Sequence, residues 1–473
     1  LITSLELLGS TALIAVMSAV LSLVFGYPIG HWVASLRRAR RLVSSVLLVP
    51  FILPAFLLGL ALRPLLGELL DNTPIAVVAL IGAHVVMNAG FIALVTAASM
   101  PPRDQSEAAA LDGATSLQIR ARIQLPQQLP ALGGAGLLVA LYSATSFGLV
   151  LTLGQGTIRT LETEIVSAAL QRLDLTTAAS LALLQSILTL GFFLVAKKLG
   201  AQPTALFGEV EEATAKSPVG QVLGVALIVA ILWIVGTVFE RALTTGPGLW
   251  GNVVNLAGRG TRDILNLSVI EAAGNSLRNL VVAGMISLLL AWWLSQKRVG
   301  LAVLLPIGIS PVVIGLAVLV LSGYVPAPLA SSWLVLPVVQ SIFLTPLAFQ
   351  IIAPARRAVS RDIREAARLD GARGLKMLGW VELPVLIKPV LVAGALVSLG
   401  SLGEFGAASF VAYGSNQTLP LVMFRLMSRP GAENLGMAMA AASVFIMLTV
   451  AVLWLIFSSR GALSIGESDD RRS

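Results

Sequence analysis

The chain has 473 residues, 56% of them hydrophobic and 12% charged, with a mean hydropathy of +0.89. A soluble domain carries about 25% charged residues and builds its core from helices with a polar face, so a soluble all-helical protein is excluded. The net charge of +8 fits the positive-inside bias of a membrane protein rather than nucleic-acid binding, and zero cysteines with two histidines exclude disulfides and cysteine-built metal centres.

In chain order, a first apolar segment covers about 11–34 and ends in the basic cluster SLRRARR, Ser35 to Arg41. Segments follow at about 44–66, which contains Pro50 and Pro54, and at about 74–100. After a polar stretch, a fourth segment starts near Pro126 and holds Gly133, Gly134 and Gly136, small residues that let helices approach closely in lipid. A polar loop at 154–176 leads to a segment at 178–196, closed by Lys197 and Lys198. Residues 201–218 are polar and proline-bounded, and read as a linker. Further segments lie at about 219–238, 280–295, 299–321, 333–352, 385–413 and 437–457, before a polar tail. Runs of this length predict an all-α, polytopic membrane protein of about eleven transmembrane helices.

The polar stretch Glu107 to Pro126, EAAALDGATSLQIRARIQLP, occurs twice. It returns at Glu365 to Pro384 as EAARLDGARGLKMLGWVELP, without a gap, at an offset of 365 − 107 = 258. At the same offset Phe147-Gly148 matches Phe405-Gly406, and Thr160-Leu161 matches Thr418-Leu419. Upstream the register drifts, with Pro54 and Pro311 separated by 311 − 54 = 257. The chain therefore divides into a first half (1–200), a cytosolic linker (201–218) and a second half (219–473). Placing both repeated loops in the cytosol puts Arg37–Arg41, Lys197–Lys198, Lys297–Arg298 and Arg356–Arg357 inside. The uncharged Gly323–Ser332 loop is then outside and the C-terminus cytosolic. Two loops on one side make the repeat parallel, about an axis along the membrane normal. The span at 219–238 has no partner in the first half. The expectation is therefore a further apolar span encoded upstream of Leu1.

One Glu, two Ala and a Gly do not make a catalytic set, since no nucleophile meets a base and no metal-ligand spacing occurs. They read as an interface. A short helix would precede Gly113 or Gly371, and the glycine permits a sharp turn. Ala108, Ala109, Ala366 and Ala367 offer a small surface to a partner's groove. Glu107 and Glu365 lie early in the helix, where a negative charge suits the dipole. The alternative is an amphipathic helix lying on lipid headgroups, against which the fixed-spacing duplication argues. No GxxxxGK[ST] phosphate loop is present, so the chain is read as a non-enzyme and ATP hydrolysis is assigned to a separate subunit.

Both stretches follow the pattern EAA-x3-G-x9-I-x-LP, with Ile123 in the first and Val381 in the second. They resemble the cytosolic coupling loop of permease subunits of binding-protein-dependent ATP-binding-cassette importers. Two copies on one chain resemble the fused permeases of the ferric-iron/thiamine branch, as does SLGEFG followed by a loop ending in TLP. The resemblance implies that Glu107, Ala108, Ala109 and Gly113, and Glu365, Ala366, Ala367 and Gly371, dock two copies of an ATP-binding subunit. It implies ATP and Mg on that partner and no cofactor on this chain. It further implies an extracytoplasmic substrate-binding protein and a multi-pass location in the cytoplasmic (inner) membrane. The solute implied is ferric iron or thiamine; polyamine, sulfate and molybdate permeases share the loops, usually with the halves on separate chains. The competing class is a secondary transporter driven by an ion gradient, which calls for several charged residues within spans.

Glu404 is the most informative acid within a span, and its repeat-mate is Ser146. Either it lines the passage and favours a cation, or it is paired or hydrated near the outer surface. His84 and Asn88, at i and i+4, either line the passage or bond to a neighbouring helix. Trp292 and Trp293 read as interfacial anchors. Arg159, Glu162, Glu164 and Arg425 fall in outer loops, facing a binding protein or solvent.

Overall fold

The computed structural model describes residues 3–154, 156–198, 217–297, 301–359, 361–429 and 431–464. Of the expected linker only Ser217 and Pro218 lie among them; Arg298 and the tail from 465 lie outside. Every regular element among the described residues is helical. The first half comprises α1 (Ser4–Ser35), α2 (Arg40–Ile52), α3 (Ala55–Leu66), α4 (Thr73–Ala98), α5 (Arg103–Leu111), α6 (Ser116–Ile119), α7 (Leu125–Ala144), α8 (Phe147–Leu153), α9 (Leu161–Val166) and α10 (Leu175–Lys198). Helices α11 (Pro218–Thr244) and α12 (Gly248–Asn255) lead into the second set. That set is α13 (Val269–Ser295), α14 (Pro311–Ser322), α15 (Ala327–Ala330), α16 (Val335–Ala358), α17 (Arg361–Leu369), α18 (Leu375–Met377), α19 (Leu383–Leu402), α20 (Ala408–Val411), α21 (Leu419–Met427) and α22 (Ala432–Ser464).

Among the described residues, eight helices are long and apolar enough to cross a membrane: α1, α4, α10, α11, α13, α16, α19 and α22. Two bent pairs, α2 with α3 at 85° and α7 with α8 at 56°, bring the number to ten. The remaining apolar segment, expected as one span at 299–321, is a 3₁₀ run at Leu301–Gly308 followed by the short α14. Proline explains the break. Pro306 supplies no amide, and Pro311 holds Ser310 extended at φ −68°, ψ 145°. Ser310 then caps α14 by accepting from the Val313 amide at 3.3 Å, with Pro311 at the first helical position.

The repeat is carried by the backbone element for element. Helices α5 and α17 begin 361 − 103 = 258 residues apart, and α7 and α19 begin 383 − 125 = 258 apart. Each half inserts a π-helical turn before the long helix, at Arg120–Gln124 and Leu378–Glu382. The repeat also reaches α1 and α13, at an offset of 268 − 3 = 265. Thr3 with Glu6 and Ser268 with Glu271 form matching capping boxes. The Thr11 hydroxyl accepts from the Leu161 amide at 3.0 Å, and the Ser276 hydroxyl accepts from the Leu419 amide at 2.9 Å. At the broken helices the register differs from the proline spacing. Gly148 packs on Phe56 and Gly406 on Val312, an offset of 312 − 56 = 256. Pro54 thus corresponds to Ser310 rather than to Pro311, because close packing at glycine, not proline position, fixes the equivalence.

Helix α1 packs along α4 as α13 packs along α16. Gly26 and Gly30 form a GxxxG step on α1: a Cβ at Gly26 would stand 2.7 Å from the Ala89 carbonyl oxygen, and one at Gly30 would stand 2.6 Å from that of Ala93. Helix α11 lies against both α1 and α22, bridging the halves. Its outward side chains Val219, Val222 and Leu232 are 64%, 69% and 58% exposed, as suits a lipid-facing surface. The halves themselves meet through one apolar core that draws on Phe56 and Leu149 from the first and Leu402 and Met423 from the second.

Candidate functional site: two matching loops

Helix α5 carries Glu107, Ala108 and Ala109 and ends at Leu111. Gly113 follows with φ +86°, a conformation that costs an L side chain strain. The Gly113 amide donates to the Ala110 carbonyl at 3.1 Å, and the Ala114 amide to that of Ala109 at 3.0 Å. This pair of bonds closes a Schellman cap. The second loop repeats it. Gly371 has φ +80°, its amide donates to the Arg368 carbonyl at 3.1 Å, and the Ala372 amide donates to that of Ala367 at 2.8 Å. The anticipated helix–glycine–helix geometry is present in both copies.

Glu107, Ala108, Glu365 and Ala366 are exposed, and Ala109 and Ala367 half-buried. At the loop tips Leu111 is 90% exposed and Leu369 is 89% exposed. Two leucines are thus bared at equivalent positions, each beside a fixed turn. Sequence reasoning passed over them, although Leu-Asp-Gly stands in both copies. Glu107 is held by its own Arg103, Nε to Oε1 at 2.6 Å, an exposed pair that a partner can exchange at little cost. The π-helical turns after the two loops are held differently. Gln124 donates to the Ser106 hydroxyl at 3.3 Å in the first, whereas Glu382 accepts from Arg356 at 2.9 and 3.0 Å in the second.

The residues expected along a passage are spread over two places. Glu404 is buried just beyond α19, and its carboxylate accepts from the amides of Ala407 at 2.5 Å and Ala408 at 3.0 Å. It thereby ties the chain leaving α19 to the start of α20. Its mate Ser146 occupies the position before α8, buried, with no hydrogen bond to its hydroxyl. His84 and Asn88 share a buried face of α4, and Asn88 donates back to the His84 carbonyl at 2.7 Å rather than to another helix. No hydrogen bond or ion pair among the described residues joins this pair to Glu404 or Ser146. Trp292 and Trp293 each carry a cation, with Arg356 5.4 Å and Lys297 5.6 Å from the ring centroids. In the loop between α8 and α10, Glu164 pairs with Arg172 at 2.5 Å and with Arg159 at 3.4 Å. Glu162, beside them in sequence, is fully buried near Ser310 and Gln185, and burial pushes its carboxyl up to about 8.

No family model matches the chain. It is similar to the molybdenum transport system permease protein ModB of Escherichia coli (strain K12), 30% identical over 132 residues, 27% of this chain and 56% of that protein. The ModB protein of Haemophilus influenzae is 27% identical over 141 residues, 29% of this chain and 62% of its own. The sulfate transport system permease protein CysT of Salmonella typhimurium is 29% identical over 136 residues, 27% of this chain and 49% of its own. These relatives are transport permeases. The chain spans about half the length of each. They support the permease family that the two loops resemble, and none of the three is named for ferric iron or thiamine.

Proposed function

We propose that the chain is the transmembrane permease subunit of an ATP-driven importer. Each of its loops docks on one ATP-binding subunit on the cytosolic face. The observation that carries this reading is the pair of identical caps presenting Leu111 and Leu369 to solvent 369 − 111 = 258 residues apart. One partner type present in two copies fits two such tips. ATP and Mg then reside on that partner, and closure of the two ATP-binding subunits moves the loops and so the halves between inward- and outward-facing arrangements. The protein sits in the cytoplasmic membrane with its C-terminus in the cytosol, and receives solute from a binding protein outside.

The solute is small. Ferric iron and thiamine follow from the fused-branch resemblance, whereas molybdate and sulfate follow from the names of the relatives. A Glu404 whose oxygens are engaged by two backbone amides offers little to a cation, so this acid gives ferric iron or thiamine no advantage over the oxyanions. Uptake of labelled molybdate, sulfate, ferric iron and thiamine, in cells lacking this chain and with it restored, decides the solute. Glu107→Lys together with Glu365→Lys should abolish uptake and release the ATP-binding subunit. Retained copurification with full uptake would remove the docking assignment, and a chain that binds no such subunit at all would point to the ion-driven class.

A further inference from the structure

Helix α12 is turned inside out compared with a helix on a water-facing surface. Its sequence is GLWGNVVN. At about 100° of rotation per residue, Leu249, Trp250, Val253 and Val254 fall on one side and Gly248, Gly251, Asn252 and Asn255 on the other. The apolar side is the outward one: all four of its residues are exposed, Trp250 at 79% and Val254 at 57%, while Asn252 is fully buried.

The neighbours hold α12 in this orientation. Asn252 Nδ2 donates to the carbonyls of Ala242 at 2.9 Å and Thr245 at 2.8 Å, which satisfies acceptors that the end of α11 leaves open. A Cβ at Gly436 would stand 2.5 Å from Asn252 Oδ1, so α22 closes on the same side chain. Gly246 and Gly248, at φ +64° and +77°, fold the chain back between α11 and α12. Beyond α12, Leu256 is buried in the apolar core, and its carbonyl accepts from the Ile270 amide at 3.2 Å. Turning the helix over to hide its apolar side would break both bonds of Asn252.

The place of α12 says what covers that side. Three residues, 245–247, separate it from the end of the spanning helix α11, and Ile270 opens the spanning helix α13. The far end of α13 carries Trp292, which meets Arg356 just ahead of the second repeated loop, so α12 lies at the membrane face opposite the loops. Its outward side is flanked by apolar side chains of both spans, with Leu243 of α11 50% exposed and Ile270 of α13 58% exposed. The lipid-facing surface of α11 thus runs on into α12 without a polar border of its own. Tryptophan and an apolar helix side, held level with the end of a span, suit the boundary between acyl chains and headgroups.

We propose that α12 lies in that boundary, in the leaflet opposite the repeated loops, with Leu249, Trp250, Val253 and Val254 inserted among the lipids. The helix then fixes the depth of α11, which bridges the two halves. This surface is independent of what the loops bind.

The chain has no cysteine, so a single one can be placed and spin-labelled without background. Leu249→Cys, Trp250→Cys, Val253→Cys and Val254→Cys are made one at a time in the full chain, so that no single misfolded variant decides the result. Leu232→Cys on the lipid-facing side of α11 and Ser116→Cys, exposed in the first loop, serve as the lipid and water references. Power saturation in phosphatidylcholine–phosphatidylglycerol vesicles compares collisions with oxygen, which concentrates in lipid, and with a water-soluble nickel chelate. The ratio of oxygen to nickel collisions at all four positions should be several-fold above that at Ser116 and close to that at Leu232. Collisions dominated by nickel would place the side in water, free for a soluble partner, and overturn the proposal. Few collisions with either would mean that a second copy of the chain covers it, which overturns the proposal equally.

Discussion

Phe147 and Phe405 stack on each other with ring centroids 5.4 Å apart and planes inclined by 15°. They are repeat-mates, at 405 − 147 = 258, and mates that touch must straddle the pseudo-symmetry axis. The axis relating the halves therefore runs between these two rings. The contact is not symmetric in its surroundings, because Phe405 also meets Phe56 at 5.4 Å and Phe424 at 5.3 Å. Phe405→Ala should cost about 3 kcal/mol or more of stability, and Phe147→Ala less, since fewer aromatic contacts are lost. Unfolding in mixed detergent and dodecyl sulfate measures both; a larger loss for Phe147→Ala would contradict the placement.

Gly26 and Gly30 set the distance between α1 and α4. Gly26→Leu or Gly30→Leu forces the helices apart, at a cost of about 1–3 kcal/mol each. Gly9→Leu on the same helix should be neutral, because nothing lies within 4 Å of a Cβ there. The same unfolding assay applies, and equal losses at Gly9 and Gly30 would rule out close packing as the reason for the glycines.

Gly113→Ala and Gly371→Ala test the caps. Neither added methyl meets a neighbour within 4 Å, so the penalty is backbone strain alone, about 1–2 kcal/mol per site. Asn, which tolerates the left-handed region better, should be milder at both positions. On the proposed docking, binding of the ATP-binding subunit should weaken in the order Gly, Asn, Ala at both loops. An effect at one loop only would mean that the two tips are not equivalent in docking.

The loops were legible from sequence because twenty residues recur in register around a glycine whose conformation few other residues adopt. The rest of the repeat was hidden by its chemistry. Thr11 and Ser276 share only a hydroxyl, and the Gly-Leu-Ala common to 59–61 and 315–317 is too short to stand out within apolar runs. Glu404 read either as a passage residue or as a paired or hydrated acid, because a sequence does not reveal that the chain restarts a helix at Ala408 and turns two amides toward the carboxylate. The Arg356–Glu382 pair was invisible for a similar reason: its members are 26 residues apart and meet only when α16 and α19 pack side by side.

Thr11 and Ser276 do the same work in the two halves, each accepting from a helix-starting amide through a buried hydroxyl. Thr11→Val and Ser276→Ala leave the amides of Leu161 and Leu419 without that partner, at a cost of about 1–3 kcal/mol each. Thr11→Ser and Ser276→Thr, which keep the oxygen, should recover most of it. Hydrogen exchange at the two amides provides the local reading: faster exchange in the first pair and not in the second is expected, and unchanged exchange throughout would remove the assignment.

Glu162 gives the stability a dependence on pH. It lies in α9, outside the spanning helices, and burial raises its carboxyl from 4.5 to about 8 against the weaker opposing effect of Ser310 and Gln185. Because the folded group holds its proton where the unfolded one has lost it, its contribution is fully present below about 4.5 and falls away as the pH rises toward about 8. Glu164 has Arg159 and Arg172 as its own partners. Glu162→Gln, which keeps the shape and cannot ionise, should therefore flatten the decline between pH 5 and pH 8 and stabilise the protein most at the alkaline end of that range. A midpoint series in dodecyl sulfate at several pH values measures it. Parallel curves for the two proteins would mean that Glu162 is not the residue that titrates.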